Sequence, residues 1–186
     1  MPVTPLESLR TIVRSTLNQH SEDVLDLTKR LVAAPSENLP GDETAPAAVV
    51  QDWVSSHDLP PAQTLSREPH RPNLLITLDS GRPGPRLGLC GHLDTKPVGD
   101  GATLWQTDPF TATMVGDRLY GLGTTDMKGA VAAMLVAGSG VAPVMCQLCG
   151  SLTLILTADE EYGSYYGAEF LAEQGLAVDE IVLDDV

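Results

Sequence analysis

Apolar positions recur at three-to-four spacing over residues 5–33, first as Leu6, Leu9, Ile12 and Val13, then as Val24, Leu25, Leu27, Leu31 and Val32. That period predicts one broken helix or two. Gly41 and the Pro-rich string APSENLPGDETAP around it end the region. A further helix is expected over residues 45–57, with Val49, Val50, Trp53 and Val54 as its inner face, and Pro60 and Pro61 stop it. Short strand-like runs follow at 73–78 and 86–90, separated by the turn SGRPGP. Residues 111–120 have the pattern of a hairpin around Gly116 and Asp117. The run 127–137 is rich in Ala and nearly free of charge, so it predicts a helix buried on most sides. Residues 152–157 suit a central parallel strand, 168–174 a helix and 180–183 another strand. Strands alternating with helices predict an α/β fold, with a mixed, mostly parallel central sheet flanked by helices.

Length refines this picture. With 186 residues, 42% of them hydrophobic, one core is enough, and residues 1–186 are expected to form part of a single catalytic domain with no second domain. Nowhere do about 18 uninterrupted apolar residues occur, and the N-terminal stretch lacks the apolar core and small-residue cleavage site of a secretory signal. A soluble, cytoplasmic protein is the expectation. The three cysteines, Cys90, Cys146 and Cys149, form no disulfide framework. Cys146 and Cys149 make a CxxC with no second pair to complete a structural zinc site, so they read as ordinary thiols.

A net charge of −14 argues against nucleic acid or anionic membrane as a partner through a broad basic surface. The charge is uneven. No Lys or Arg follows Lys128, while nine acids do, from Asp159 to Asp185. Glu169 and Glu173, one helical turn apart, read as a solvated face. Several other acids fall where predicted strands run out, together with a histidine: His92 and Asp94 in LGLCGHLDTKPVGD, Asp126 in YGLGTTDMKG, Glu160 and Glu161 in LTLILTADEEYGS, and Asp185 in IVLDDV. In open α/β sheets, chemistry gathers beyond the carboxyl ends of the strands. Unneutralised charge packed there is costly, which favours a cation.

Each residue also has an ordinary reading. His92 and Asp94, two apart, share a face if the extended backbone persists, as a metal-binding imidazole and its orienting carboxylate do. A structural histidine does so too. Asp126 stands where an N-cap of the apolar helix belongs, and Gly129 where a close helix approach favours glycine. Glu160 and Glu161 repel one another unless one is protonated or a cation lies between them; a solvated turn is the alternative.

Read together, GHLDT, DMKG and TADEE, with LVAAPSENLPGDETA, RPNLLITL, WQTDPF and VDEIVLDD around them, resemble the binuclear zinc amidohydrolases. That family includes acetylornithine deacetylase, succinyl-diaminopimelate desuccinylase, aminoacylase and the glutamate-releasing carboxypeptidases. The resemblance implies a zinc-exopeptidase-like catalytic domain and hydrolysis of an N-acyl amino acid or small peptide. It implies His92 on one metal, Asp126 bridging two, Glu161 on the second, Asp94 orienting His92, and Glu160 as general acid/base. The acid at the end of IVLDD would join His92; counting from Asp179 selects Asp185, and sliding the apolar run by one selects Asp184. The family usually has Glu-Pro there, against Asp185–Val186 here. Two zinc ions, replaceable by cobalt or manganese, suit such mixed nitrogen and oxygen donors.

The family's late second histidine and its lid domain find no match, since His20, His57 and His70 all precede the motifs. The chain is therefore expected to be an N-terminal portion, weakly active or inactive by itself and lacking later strands along one sheet edge, with a homodimer as the expectation for a full-length form. The competing reading is a non-catalytic metal-binding remnant or assembly module. A dinucleotide-binding domain fits poorly, because GLGTTD supplies only GxG.

Overall fold

The computed structural model describes residues 6–183. The long N-terminal pattern resolves into two helices, α1 (Leu6–Gln19) and α2 (Ser21–Val32), broken at His20. Then come α3 (Thr44–Ser56), β1 (Gln63–Ser66), β2 (Pro72–Asp79), β3 (Arg86–His92), the hairpin β4 (Thr113–Val115) and β5 (Arg118–Tyr120), α4 (Lys128–Val141), β6 (Ser151–Thr157), α5 (Ala168–Glu173) and β7 (Glu180–Leu183). Gly116, at φ +64°, makes the two-residue hairpin turn with Asp117, a conformation that glycine adopts without Cβ strain.

The main sheet has the order β1-β2-β6-β3-β7. β2 is antiparallel to both neighbours, while β6, β3 and β7 are mutually parallel. Four of the five described strands thus point the same way, and the carboxyl ends of β3, β6 and β7 share one edge. That edge receives the chemistry-bearing loops.

Strand alternation divides the core. Leu74, Ile76 and Leu78 of β2 and Leu154 and Leu156 of β6 face α2, α3 and α4, whereas Leu75 and Ile155 face Leu171 of α5. This is the period-two consequence of the pleat, with both faces apolar because helices cover both. The predicted end of α4 at residue 137 falls short: the helix runs to Val141 and continues as a 3-10 segment, Ala142–Gln147. Gly138 and Gly140 look like stop signals but are packing contacts. A Cβ at Gly138 would sit 3.0 Å from Leu154, and one at Gly140 would sit 2.7 Å from Leu17. By length and composition Lys128–Gln147 could cross a membrane; here its residues Val131, Leu135 and Val144 are buried in the protein's own core.

β1 has no counterpart in the sequence prediction. Its residues QTLS carry almost no apolar signal, and they pair as an edge through backbone hydrogen bonds to β2. β7 borders β3, and Ile181, Val182 and Leu183 remain exposed. Truncation of Leu135, wholly buried between helices and sheet, is expected to lower unfolding free energy by about 2–5 kcal/mol as Leu135→Ala. Val182→Ala on the exposed edge should change it by less than about 0.5 kcal/mol. Urea unfolding checks both.

Candidate metal centre

His92 is the last residue of β3 and is buried. Its Nδ1 lies 3.0 Å from the backbone carbonyl of Asp94 and 3.4 Å from that residue's Oδ1. A carbonyl only accepts, so Nδ1 carries a proton and Nε2 is left to face outward. Nε2 in turn lies 2.9 Å from Oδ1 of Asp126 and 3.8 Å from Oε2 of Glu160. Burial works against the charged ring, but hydrogen bonding and attraction from Asp94, then Asp126 and Glu160, outweigh it and raise His92 to about 9. A proton on Nε2 thereby holds the place that a cation would take between imidazole and carboxylate.

The Asp94 carboxylate is wholly buried. It accepts the backbone N–H of Glu160 at 3.1 Å, that of Glu161 at 3.0 Å and the Asn38 amide at 2.8 Å. Burial acts to raise its pKa, and the hydrogen bonds from His92, Asn38 and Glu161 more than reverse that, so it is held below the usual aspartate range. The loops after β3 and β6 are therefore tied together through one acid.

Behind Asp94 lies a buried ionic layer. Asn38 also donates to Oδ1 of Asp159 at 3.0 Å; Arg71 donates to Oε1 of Glu43 at 2.8 Å and to the Asn38 side chain at 3.2 Å. Desolvation pushes Glu43 up to about 7 despite Arg71, with Asp94 adding to the rise. Gly41, at φ +80°, leaves room for the guanidinium, which a Cβ there would meet at 2.0 Å. Asn73 extends the brace, accepting from the Ala158 N–H and donating to the Tyr166 carbonyl.

Asp126 is not the helix cap its position suggested. α4 begins one residue further on, with Met127 at the cap position, and the Asp126 carboxylate is turned to His92. Gly129 fits the close-approach reading, since a Cβ there would lie 2.4 Å from the Thr124 carbonyl. Glu160 and Glu161 open a 3-10 turn, Glu160–Tyr162, just past β6. Single donor atoms of His92, Asp126 and Glu161 all lie within 4.8 Å of one another. One imidazole nitrogen and two carboxylate oxygens at that spacing fit a divalent metal of the zinc type. Asp184 and Asp185 lie outside the described residues.

Several residues at this site received no role from the sequence: Asn38, Glu43, Arg71, Asp159 and Lys96. Their signal lay in the strings LVAAPSENLPGDETA, RPNLLITL, TADEE and GHLDTK, but nothing local shows that these segments meet. Lys96 holds Glu161, and its hydrogen bond to that residue keeps its ammonium above the ordinary lysine range. Lys128 is buried and donates to the Ala34 carbonyl at 2.8 Å; desolvation lowers it to about 8 against attraction from Asp94 and Glu37. Glu173, expected to be simply solvated, pairs with Arg67 across the surface. The thiols take no part: Cys146 and Cys149 are exposed and unbridged, and burial pushes Cys90 up to about 11.

Two outcomes follow from this geometry. Arg71→Ala strands Glu43 and Asn38 and should cost about 3–5 kcal/mol of unfolding free energy, measured by urea titration of metal-free protein. The second concerns protons. His92 is raised from the ordinary histidine value of 6.5 to about 9, so its stabilisation of the fold is fully present below pH 6.5 and is lost as pH rises through about 9. A divalent ion taken up at Nε2 would have to displace its proton, so affinity for an ion such as zinc should climb with pH below about 9, with close to one proton released per ion. Calorimetry in buffers of different ionisation enthalpy measures that release, and His92→Asn should abolish it.

The model of peptidase family M20/M25/M40 matches residues 88–185. Succinyl-diaminopimelate desuccinylase of Rhizorhabdus wittichii is 34% identical over 161 residues, which cover 84% of this chain and 41% of that protein. Acetylornithine deacetylase of Proteus mirabilis is 36% identical over 154 residues, covering 80% of this chain and 38% of its own length. Among solved structures, human carnosine dipeptidase 1 superposes with a TM-score of 0.75 at 26% identity, covering all of this chain and 42% of that one. The chain thus spans about two fifths of the length of these relatives. With the family's pattern extending over more than half of its residues, on a sheet and strand-end loops of the same fold, the chain belongs to peptidase family M20/M25/M40.

Proposed function

We propose that this chain carries metal-binding and proton-transfer residues of a zinc-dependent hydrolase that cleaves the amide bond of an N-acyl amino acid or small peptide. The observation that carries the reading is the convergence of His92 at the end of β3, Asp126 in the turn before α4 and Glu161 in the 3-10 turn after β6 to within 4.8 Å of one another. The names of the relatives support the reaction class: a desuccinylase, a deacetylase and a dipeptidase. Cobalt or manganese would suit the same donors.

His92 would bind through Nε2, and Asp126 and Glu161 through carboxylate oxygens, with Asp184 or Asp185 as a further ligand. A cation held by these residues would supply Lewis acidity for activating water, toward a pKa of about 7, and for polarising the scissile carbonyl. Asp94 keeps the proton on Nδ1 of His92 and so keeps Nε2 available. Glu160, its Oε2 3.8 Å from His92 Nε2, takes the proton of the attacking water and delivers it to the nitrogen of the leaving amine. The products are a carboxylic acid and a free amino acid or amine. We place the enzyme in the cytoplasm, and a homodimer as its full-length form.

The gene product containing this chain, loaded with zinc, is expected to release free amine from a panel of N-acetyl and N-succinyl amino acids and dipeptides. Glu160→Ala should lower turnover by about 10²–10⁴-fold while metal content is retained. Unchanged turnover would remove Glu160 from its role, and bound zinc without any turnover across the panel would favour a metal-binding remnant.

A further inference from the structure

Both carboxylate oxygens of Glu161 and its backbone carbonyl are engaged by one residue, Lys96. The backbone N–H of Lys96 donates to Glu161 Oε1 at 2.9 Å, the Lys96 ammonium sits 2.6 Å from Oε2, and the same ammonium donates to the Glu161 backbone carbonyl at 2.7 Å. The Glu161 side chain is only 5% exposed, whereas that of Lys96 is 64% exposed. A deeply set carboxylate is therefore neutralised by a cation that reaches in from solvent and has little packing to lose by leaving. Lys96, Asp126 and Glu161 line one cleft with Thr95 and Gly123, so the withdrawn ammonium has open space to enter.

The metal reading assigns a divalent ion to this same carboxylate, and both cations need its outward oxygen lone pairs. An ammonium 2.6 Å from Oε2 occupies a coordination direction and adds a positive charge beside the incoming ion. We infer that Lys96 is a built-in competitor of the metal at Glu161, an ammonium plug that balances the carboxylate in the metal-free protein and must swing away before Glu161 can coordinate. Lys96 is thus a positioning residue that sets how tightly the Glu161 side of the centre holds its ion. This inference rests on the proposed role of Glu161 as a ligand.

The test is a zinc titration of the 186-residue chain against a chelator of known affinity, in a double-mutant cycle. Lys96→Met should tighten zinc binding about tenfold, the scale of one charge-assisted hydrogen bond discounted for solvent exposure. Lys96→Arg, which keeps the charge, should stay within about twofold of the parent. In a Glu161→Gln background the gain from Lys96→Met should shrink to about twofold or less. Unchanged or weaker binding by Lys96→Met overturns the competitor role, as does a full gain that persists without the Glu161 carboxylate. If Glu161→Gln leaves zinc affinity unaltered even in the Lys96→Met chain, the ligand role of Glu161 itself fails, a result separable from failure of the Lys96 inference alone.

Discussion

The arrangement of this protein's strand-end loops depends on one buried carboxylate. Asp94 sits one residue beyond the first residue after β3 and accepts backbone N–H groups from Glu160 and Glu161 beyond β6, while its carbonyl and carboxylate face Nδ1 of His92. A desolvated anion is costly unless its lone pairs are filled. Filling them here requires the loops of β3 and β6 to be in one place. The requirement that keeps Asp94 ionised therefore also sets His92 and Glu160 within 3.8 Å of each other.

That anion has its own support. Asn38 bridges Asp94 and Asp159, and Arg71 bridges Asn38 and Glu43. Alternating donors and acceptors across the layer leave little freedom to slide, because displacing any one group exposes the next to an unpaired, buried charge. The rigidity is directional. Toward the interior the network is closed by Arg71 and Asn73; toward solvent, Lys96, Asp126 and Glu161 line an open cleft.

The same electrostatic logic runs through the metal-free centre. Positive charge is supplied by a proton on His92 Nε2 and by the exposed ammonium of Lys96. Each stands beside a carboxylate that a divalent ion would otherwise neutralise, Asp126 in one case and Glu161 in the other.

By itself the sequence determined the alternation of helices and strands, because burial of a helix stripe or a strand face imposes a period that can be read locally. It also placed His92, Asp94, Asp126, Glu160 and Glu161 at element junctions, where loops leave a parallel sheet edge. The short polar strand β1 and the run of α4 past Gly138 were not legible, since one is held by backbone pairing to β2 and the other by a tight contact with Leu154. Only the tertiary structure decided that Asp126 turns to His92 instead of capping α4, that Arg71 and Glu43 form a buried pair, and that Lys96 takes both oxygens of Glu161. Those outcomes depend on hydrogen bonds between segments as far apart as Asn38 and Asp159, 121 residues in sequence. A local pattern carries the burial of each segment, but which charge meets which is settled only when the loops converge and the desolvated charges pair.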